Sequence, residues 1–203
     1  LNFCTIGIDV GETESGSAFV TVGFEKEYAG VVVLDEKFIK GNVLTNPDDF
    51  YQQVYEYIIR QNYRGIKPRA IYFDAAQQML KRGLETYLRS KGIYIAIYNS
   101  LKYPIIDRIM ATNALFPTDR IKISNKCTVF IQGLEEAVWK SNVSPAERLD
   151  NFTSNIDILD AFEYAFEPYM YEIVTLLKKP QNYDNQTFKN ERELRRLNEH
   201  IFG

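Results

Sequence analysis

Short apolar runs and longer amphipathic stretches alternate along the chain. Three apolar runs come first: "FCTIGID" over residues 3–9, "SAFVTVGF" over 17–24 and "YAGVVVL" over 28–34. Each has the length and apolar content of a buried strand. The connections, residues 10–16 and "EKE" at 25–27, are too short for a crossover, so the three strands are expected to be antiparallel neighbours. The pattern then changes period. In "PDDFYQQVYEYIIRQN" (47–62), Phe50, Val54, Tyr57 and Ile58 recur at helical spacing, and Pro47, Asp48 and Asp49 suit a helix N-terminus.

From there strands and helices alternate. "RAIYFD" (69–74) reads as a strand ending in Asp74, and "QQMLKRGLETYLRSKG" (77–92) as an amphipathic helix closed by Gly92. "IYIAIY" (93–98) is the next strand, "PIIDRIMATNALF" (104–116) a helix, "DRIKIS" (119–124) a short strand and "CTVFIQGLEEAVWK" (127–140) a helix ending near a core residue, Trp139. A loop is expected over 141–155. "IDILDAFEYAFEPYMYEIVTLL" (156–177) is helical, with Pro168 positioned to kink it. The order predicts an α/β fold: a mixed five-to-six-stranded sheet, three antiparallel strands first, with helices on both faces. The domain is expected to span 1–177. Residues 178–203 are polar and read as a flexible tail or a short terminal helix.

Composition narrows the function classes. The 203 residues suffice for one domain, and 45% hydrophobic with 25% charged residues is ordinary for a globular protein. No apolar run approaches the roughly 18 residues of a membrane span, and no signal peptide is visible. Cys4 and Cys127 lie in apolar surroundings without a CxxC spacing, which reads as buried free thiols in a reducing compartment. The net charge of −3 carries no global nucleic-acid signal, although a cluster of metal-binding acids would itself lower the total. The chain opens on Leu1, as an excised domain of a longer protein would.

The candidate chemistry lies in carboxylates. Asp9 stands at the end of the first apolar strand, Asp74 at the end of the fourth, and Asp157 and Asp160 one turn apart in an apolar helix. Strand ends and a helix face can converge at one sheet edge, where gathered carboxylates repel unless a cation joins them. Mg²⁺ or Mn²⁺ takes such all-oxygen ligands, and two such ions can clamp a phosphodiester. Each acid also has an ordinary structural reading: Asp9 capping the next turn, Asp74 an N-cap, Asp157 and Asp160 first-turn partners of a helix dipole. Other chemistries lack parts. The single His200 lies in the polar tail, so no Ser-His-Asp arrangement or zinc site is supported, and no G-x-x-x-x-G-K-[ST] occurs.

Three segments resemble the C-terminal nuclease domain of the large terminase subunit of tailed bacteriophages. "GIDVG" (7–11) is similar to its first-strand Asp motif. "YFDAAQQMLKRGLETYLRSKGI" (72–93) resembles its D-[SA]-A segment, and "NIDILDAFEYAF" (155–166) its H-x-x-D-A-x-x-Y-A motif. The resemblance spans roughly residues 5–170 and rests on the order and spacing of the motifs together. It implies an RNase H-like fold and cleavage of concatemeric double-stranded DNA by two Mg²⁺ or Mn²⁺ ions. Asp9, Asp74 and Asp160 match the metal-binding acids, and Asp157 falls where many members carry His. Lys81, Arg82 and Lys102 are the candidate DNA-backbone contacts. The implied partners are a separate N-terminal ATPase domain, the small terminase subunit and the portal protein. The implied location is the host bacterial cytoplasm, without secretion or membrane attachment. Beside a non-catalytic module whose acids are vestigial or merely structural, two other readings stay open. One is a Holliday-junction resolvase or RNase H-type nuclease. The other is an actin- or sugar-kinase-like ATP-binding domain, because "GIDVGETESGSAF" is also similar to a phosphate loop. The second lacks support elsewhere: Asp74 is followed by "AAQQ", and Gly-Gly does not occur.

Overall fold

The computed structural model describes residues 1–11, 16–39, 46–137 and 156–177. Its sheet is built on three consecutive strands, β1 (Phe3–Asp9), β2 (Ser17–Phe24) and β3 (Val31–Ile39). β1 pairs antiparallel with β2, and β2 with β3. The chain then crosses through α1 (Pro47–Tyr63) to β4 (Pro68–Phe73), and through α2 (Gln78–Ser90) to β5 (Ala96–Asn99). β4 runs parallel to β1, and β5 parallel to β4. α3 (Ile105–Asn113) leads to β6 (Ile121–Ile123), which pairs parallel with the far edge of β3. The strand order is β5-β4-β1-β2-β3-β6. α4 (Thr128–Glu136), α5 (Ile156–Phe166) and α6 (Met170–Leu177) complete the described chain. The expected mixed sheet, with its antiparallel start, is therefore present with six strands.

Alternation along the strands divides the core into two layers. Ile6, Ile8, Phe19, Ile71 and Phe73 face α1 and α2, against Phe50, Val54, Tyr57, Leu80 and Leu84. Ala18, Val20, Val22 and Ala70 face the other way, against Ile158, Ala161, Phe162 and Ala165 of α5 and Phe130 of α4. Side chains of a strand point alternately to opposite faces. With Ile6 and Ile8 turned toward α1, the residues Thr5, Gly7 and Asp9 turn toward α5. The Thr5 hydroxyl donates to the carbonyl of Ala165 at 3.1 Å. Both thiols are buried and free, and burial pushes Cys4 up to about 11 and Cys127 to about 12.

Several boundaries differ from expectation for identifiable reasons. The third strand was expected at 28–34, but a 3-10 turn occupies Lys26–Tyr28, with Glu27 and Tyr28 at φ of 55° and 56°. The strand instead continues to Ile39 through three charged residues, each of which has a partner. Asp35 meets Arg60 at 2.7 Å and Arg64 at 3.1 Å, and Glu36 accepts from the backbone N–H groups of Val129 and Phe130 at 2.8 Å each. β5 is shorter than "IYIAIY": it starts at Ala96, and Ile93 and Ile95 lie before it, packed against the core layer of α1 and α2. Pro168 ends α5 and opens a 3-10 turn, Glu167–Tyr169, before α6. The expected loop over 141–155, Trp139, and the tail 178–203 with His200 lie outside the described residues.

Candidate active site

Two strand ends and one helix face bring the acids together. β1 and β4 are parallel with Ile8 opposite Phe73, so Asp9 and Asp74 emerge side by side at their C-terminal ends. The N–H of Asp74 donates to the carbonyl of Ile8 at 3.1 Å and locks that alignment. α5 lies across β1 and β2, and Asp157, Asp160 and Tyr164 follow one another at helical spacing on it. Its approach to β1 is close at Gly7. A Cβ built there would stand 1.8 Å from the carbonyl oxygen of Ala161. The glycine two residues before Asp9 therefore lets the helix bring its acids to the strand.

Asp9 is the electrostatic centre. Burial, then the negative charges of Asp160, Asp157 and Asp74 in that order, hold its carboxyl well above the usual carboxylate range. Only a hydrogen bond from the Tyr164 hydroxyl works in the opposite sense. That hydroxyl is itself pushed up, first by its burial and then by the charges on Asp9, Asp160 and Asp74. The other three acids expected from the sequence thus all act on Asp9 through space.

The other three acids are engaged by protein groups. Asp74 accepts from the N–H of Ala76 at 3.0 Å and meets the Lys102 ammonium at 2.6 Å. The first of these is a local turn contact. α2 begins only at Gln78, so Asp74 is not its N-cap. Asp157 accepts from the N–H of Gly16 at 2.9 Å, which ties α5 to the start of β2. Asp160 lies 3.5 Å from Arg108, whose guanidinium also stands 2.7 Å from Glu163. Among the described residues, no three acidic, histidine or cysteine side chains are already drawn together as a metal-binding group. The donor set nonetheless fits a hard divalent cation. It is all oxygen and anionic, and its central member is buried against three like charges.

Of the candidate DNA contacts, Lys102 stands at the acids. Lys81 donates to the Asn99 amide oxygen at 2.6 Å, next to Ser100, whose hydroxyl accepts from the N–H of Ala75. It therefore lies beside the Asp74 turn. Arg82 is exposed about 100° further round α2, and no described contact brings it to the acids.

Sequence reasoning missed four residues: Tyr164, Arg108, Glu163 and Glu167. Asp160 and Glu163 of α5 and Glu167 of the 3-10 turn after it stand at i, i+3 and i+7, with no basic residue in either element. That spacing is the signal that a cation from elsewhere must meet this face. Arg108 of α3 supplies it.

No family model matches this chain, and no curated protein does. Solved structures do match. The nuclease domain of the large terminase (g2p) of bacteriophage SPP1, solved with bound Mn, superposes with a TM-score of 0.57 at 17% identity, covering 82% of this chain and 86% of that one. The P22 large terminase nuclease domain gives 0.60 at 12%, covering 84% and 86%. This chain has the fold of a large-terminase nuclease domain. The large terminase of a thermophilic bacteriophage gives 0.62 at 16%, with 82% of this chain covered but only 39% of that protein.

The mixed six-stranded sheet, antiparallel in its first three strands, is consistent with that fold. The hydrogen bonds around the first turn bear on its phosphate-loop reading. Of the described N–H groups there, Gly11 donates to the Ser17 hydroxyl and Gly16 to the Asp157 carboxylate. Donors that would cradle a phosphate are turned onto the protein's own oxygens. Residues 12–15 lie outside the described residues.

Proposed function

We propose that this chain is a divalent-metal-dependent endonuclease domain that cuts double-stranded DNA during phage genome packaging. The observation that carries the reading is the buried Asp9 carboxylate facing Asp74, Asp157 and Asp160 at one end of the sheet. Likeness to terminase nuclease domains, one of them solved with Mn, supports it.

Asp9, Asp74 and Asp160 are the proposed metal ligands, with Asp157 assisting and fastening the turn before β2. Two Mg²⁺ or Mn²⁺ ions held there would supply an activated water and charge stabilisation for the departing 3′ oxygen. The chain's own groups do the rest. Tyr164 donates to Asp9 and fixes its orientation. Arg108 holds Asp160 toward the sheet. Lys81 and Lys102 lie where an anionic backbone strand would pass the Asp74 turn, so cleavage should weaken steeply with salt. In this setting the domain works in the cytoplasm of the infected host. It is joined to an N-terminal ATPase domain and cooperates with the small terminase subunit and the portal protein.

The test is conversion of supercoiled plasmid to nicked and linear forms with Mn²⁺, Mg²⁺ or EDTA, for wild type and Asp74→Ala. A four-way junction and an RNA–DNA hybrid are run in parallel. The reading requires metal-dependent duplex cutting that Asp74→Ala loses. Preferential cutting of the junction or hybrid would move the substrate to a resolvase or RNase H type. Equal cutting by both proteins would remove Asp74 from the site.

A further inference from the structure

Glu167 sits at the end of α5 with no solvent exposure. Its carboxylate accepts three consecutive backbone N–H groups from the loop between β5 and α3: Leu101 at 2.5 Å, Lys102 at 3.0 Å and Tyr103 at 3.2 Å. A buried carboxylate is costly unless its oxygens are met, and here the backbone of a distant loop meets both. The middle residue of that loop has a φ of 50°, in the left-handed region that a lysine rarely adopts. The surrounding contacts over-determine this conformation. On one side the N–H of Ser100 is bound to the carbonyl of Phe73 at 2.7 Å; on the other, the carbonyl of Tyr103 accepts from Arg108 at 3.0 Å. Held this way, Lys102 reaches back to place its ammonium 2.6 Å from Asp74 and 5.7 Å from the centre of the Tyr164 ring.

We propose that Glu167 is a positioning residue: it fastens the 101–103 backbone so that Lys102 serves as the internal counter-ion of Asp74, in competition with a divalent cation. This rests on the metal reading of the acids. Two charges at this range interact appreciably even under substantial screening, so a cation binding at Asp74 must displace the ammonium. The lysine therefore neutralises one acid of a repelling cluster and sets a threshold for metal loading.

Two readouts test it, neither of them activity. The first is Mn²⁺ affinity by calorimetric titration for wild type, Lys102→Gln, Glu167→Gln and the double variant. Lys102→Gln is expected to bind Mn²⁺ about three- to tenfold more tightly, which corresponds to about 0.7–1.4 kcal/mol. Glu167→Gln should shift the affinity in the same direction. The double variant should match Lys102→Gln alone, because Glu167 acts only through the lysine. The second readout is metal-free. Acylation of Lys102, followed by mass spectrometry relative to Lys91, should quicken several-fold in Glu167→Gln. Should Glu167→Gln not fold, Glu167→Asp keeps the charge with a shorter reach and should move both readouts less, in the same directions. Wild type that binds Mn²⁺ together with unaltered affinity in Lys102→Gln overturns the competition. Unaltered acylation in folded Glu167 variants, or additive effects in the double variant, overturns the positioning. Failure of wild type to bind Mn²⁺ overturns the metal reading itself, and the competition falls with it.

Discussion

Gly7→Ala puts the link between fold and site to a quantitative test. The added methyl would meet the Ala161 carbonyl oxygen at 1.8 Å, and the Ala161 carbonyl carbon and Ala165 nitrogen at 2.9 Å. Ordinary contact begins at 3.4 Å, so about 1.6 Å of separation must be created. All three atoms are backbone, so no side-chain rotation relieves the clash; α5 must lift from β1 or the strand must buckle. Overpacking typically costs about 1–3 kcal/mol, and a backbone-on-backbone clash belongs at the top of that range. At roughly 2–4 °C per kcal/mol for a domain of this size, the expected fall in Tm is about 6–12 °C. Function should suffer more than stability. α5 carries Asp157, Asp160 and Tyr164, and a misplacement of about 1 Å at a reacting centre can cost about a hundredfold in rate. The assay pairs thermal unfolding by circular dichroism with Mn²⁺-dependent plasmid cleavage well below the new Tm. Gly23→Ala is the control: the nearest atoms to its methyl are the side-chain tips of Leu1 and Leu34, at 2.9–3.0 Å. It should stay within about 1 kcal/mol of wild type. A Gly7→Ala protein that melts with wild type and cleaves at its rate would refute the close approach of α5 and the argument built on it.

Two further substitutions probe other contacts. Asp9→Asn removes a carboxyl that burial and then Asp160, Asp157 and Asp74 hold above the usual range. A carboxyl raised in the native state contributes stability below its unfolded pKa of about 4 and loses it as pH rises through the native value. Without divalent cation, urea unfolding should therefore find Asp9→Asn more stable than wild type at pH 8, with the advantage shrinking toward pH 5; a variant less stable at pH 8 contradicts the sign. Glu36→Ala frees the Val129 and Phe130 N–H groups at the start of α4, whose own N-cap, Cys127, makes no side-chain cap. The expected loss is about 1–2 kcal/mol in urea unfolding, and a loss below about 0.3 kcal/mol would show that the cap from β3 is dispensable.

Much of this arrangement could be read from the chain. β1 and β2 match their apolar runs residue for residue, because both faces of each strand are covered and no charge interrupts the pattern before Asp9 closes β1. Asp9 and Asp74 stood out as carboxylates where apolar strands stop, and parallel pairing of β1 with β4 makes those stops neighbours. Other features depended on partners distant in sequence. β3 runs through Asp35 and Glu36 because α1 and α4 supply the cations and N–H groups they need. Glu167 meets Lys102 across 65 positions, and no local pattern announces that a buried acid will bind a loop backbone. Lys102 was marked for its charge alone. Its left-handed backbone, and hence its reach to Asp74, follows from tertiary contacts that override local preference.

The most direct test of the central claim is a crystal of this chain soaked in Mn²⁺ and measured at a wavelength where manganese scatters anomalously. The account predicts anomalous peaks at bonding distance from the carboxylate oxygens of Asp9, shared with Asp74 on one side and Asp160 on the other, with the Lys102 ammonium displaced from Asp74. Manganese bound elsewhere on the protein, with Asp9 still facing Asp74, Asp157 and Asp160 and no peak among them, would contradict it.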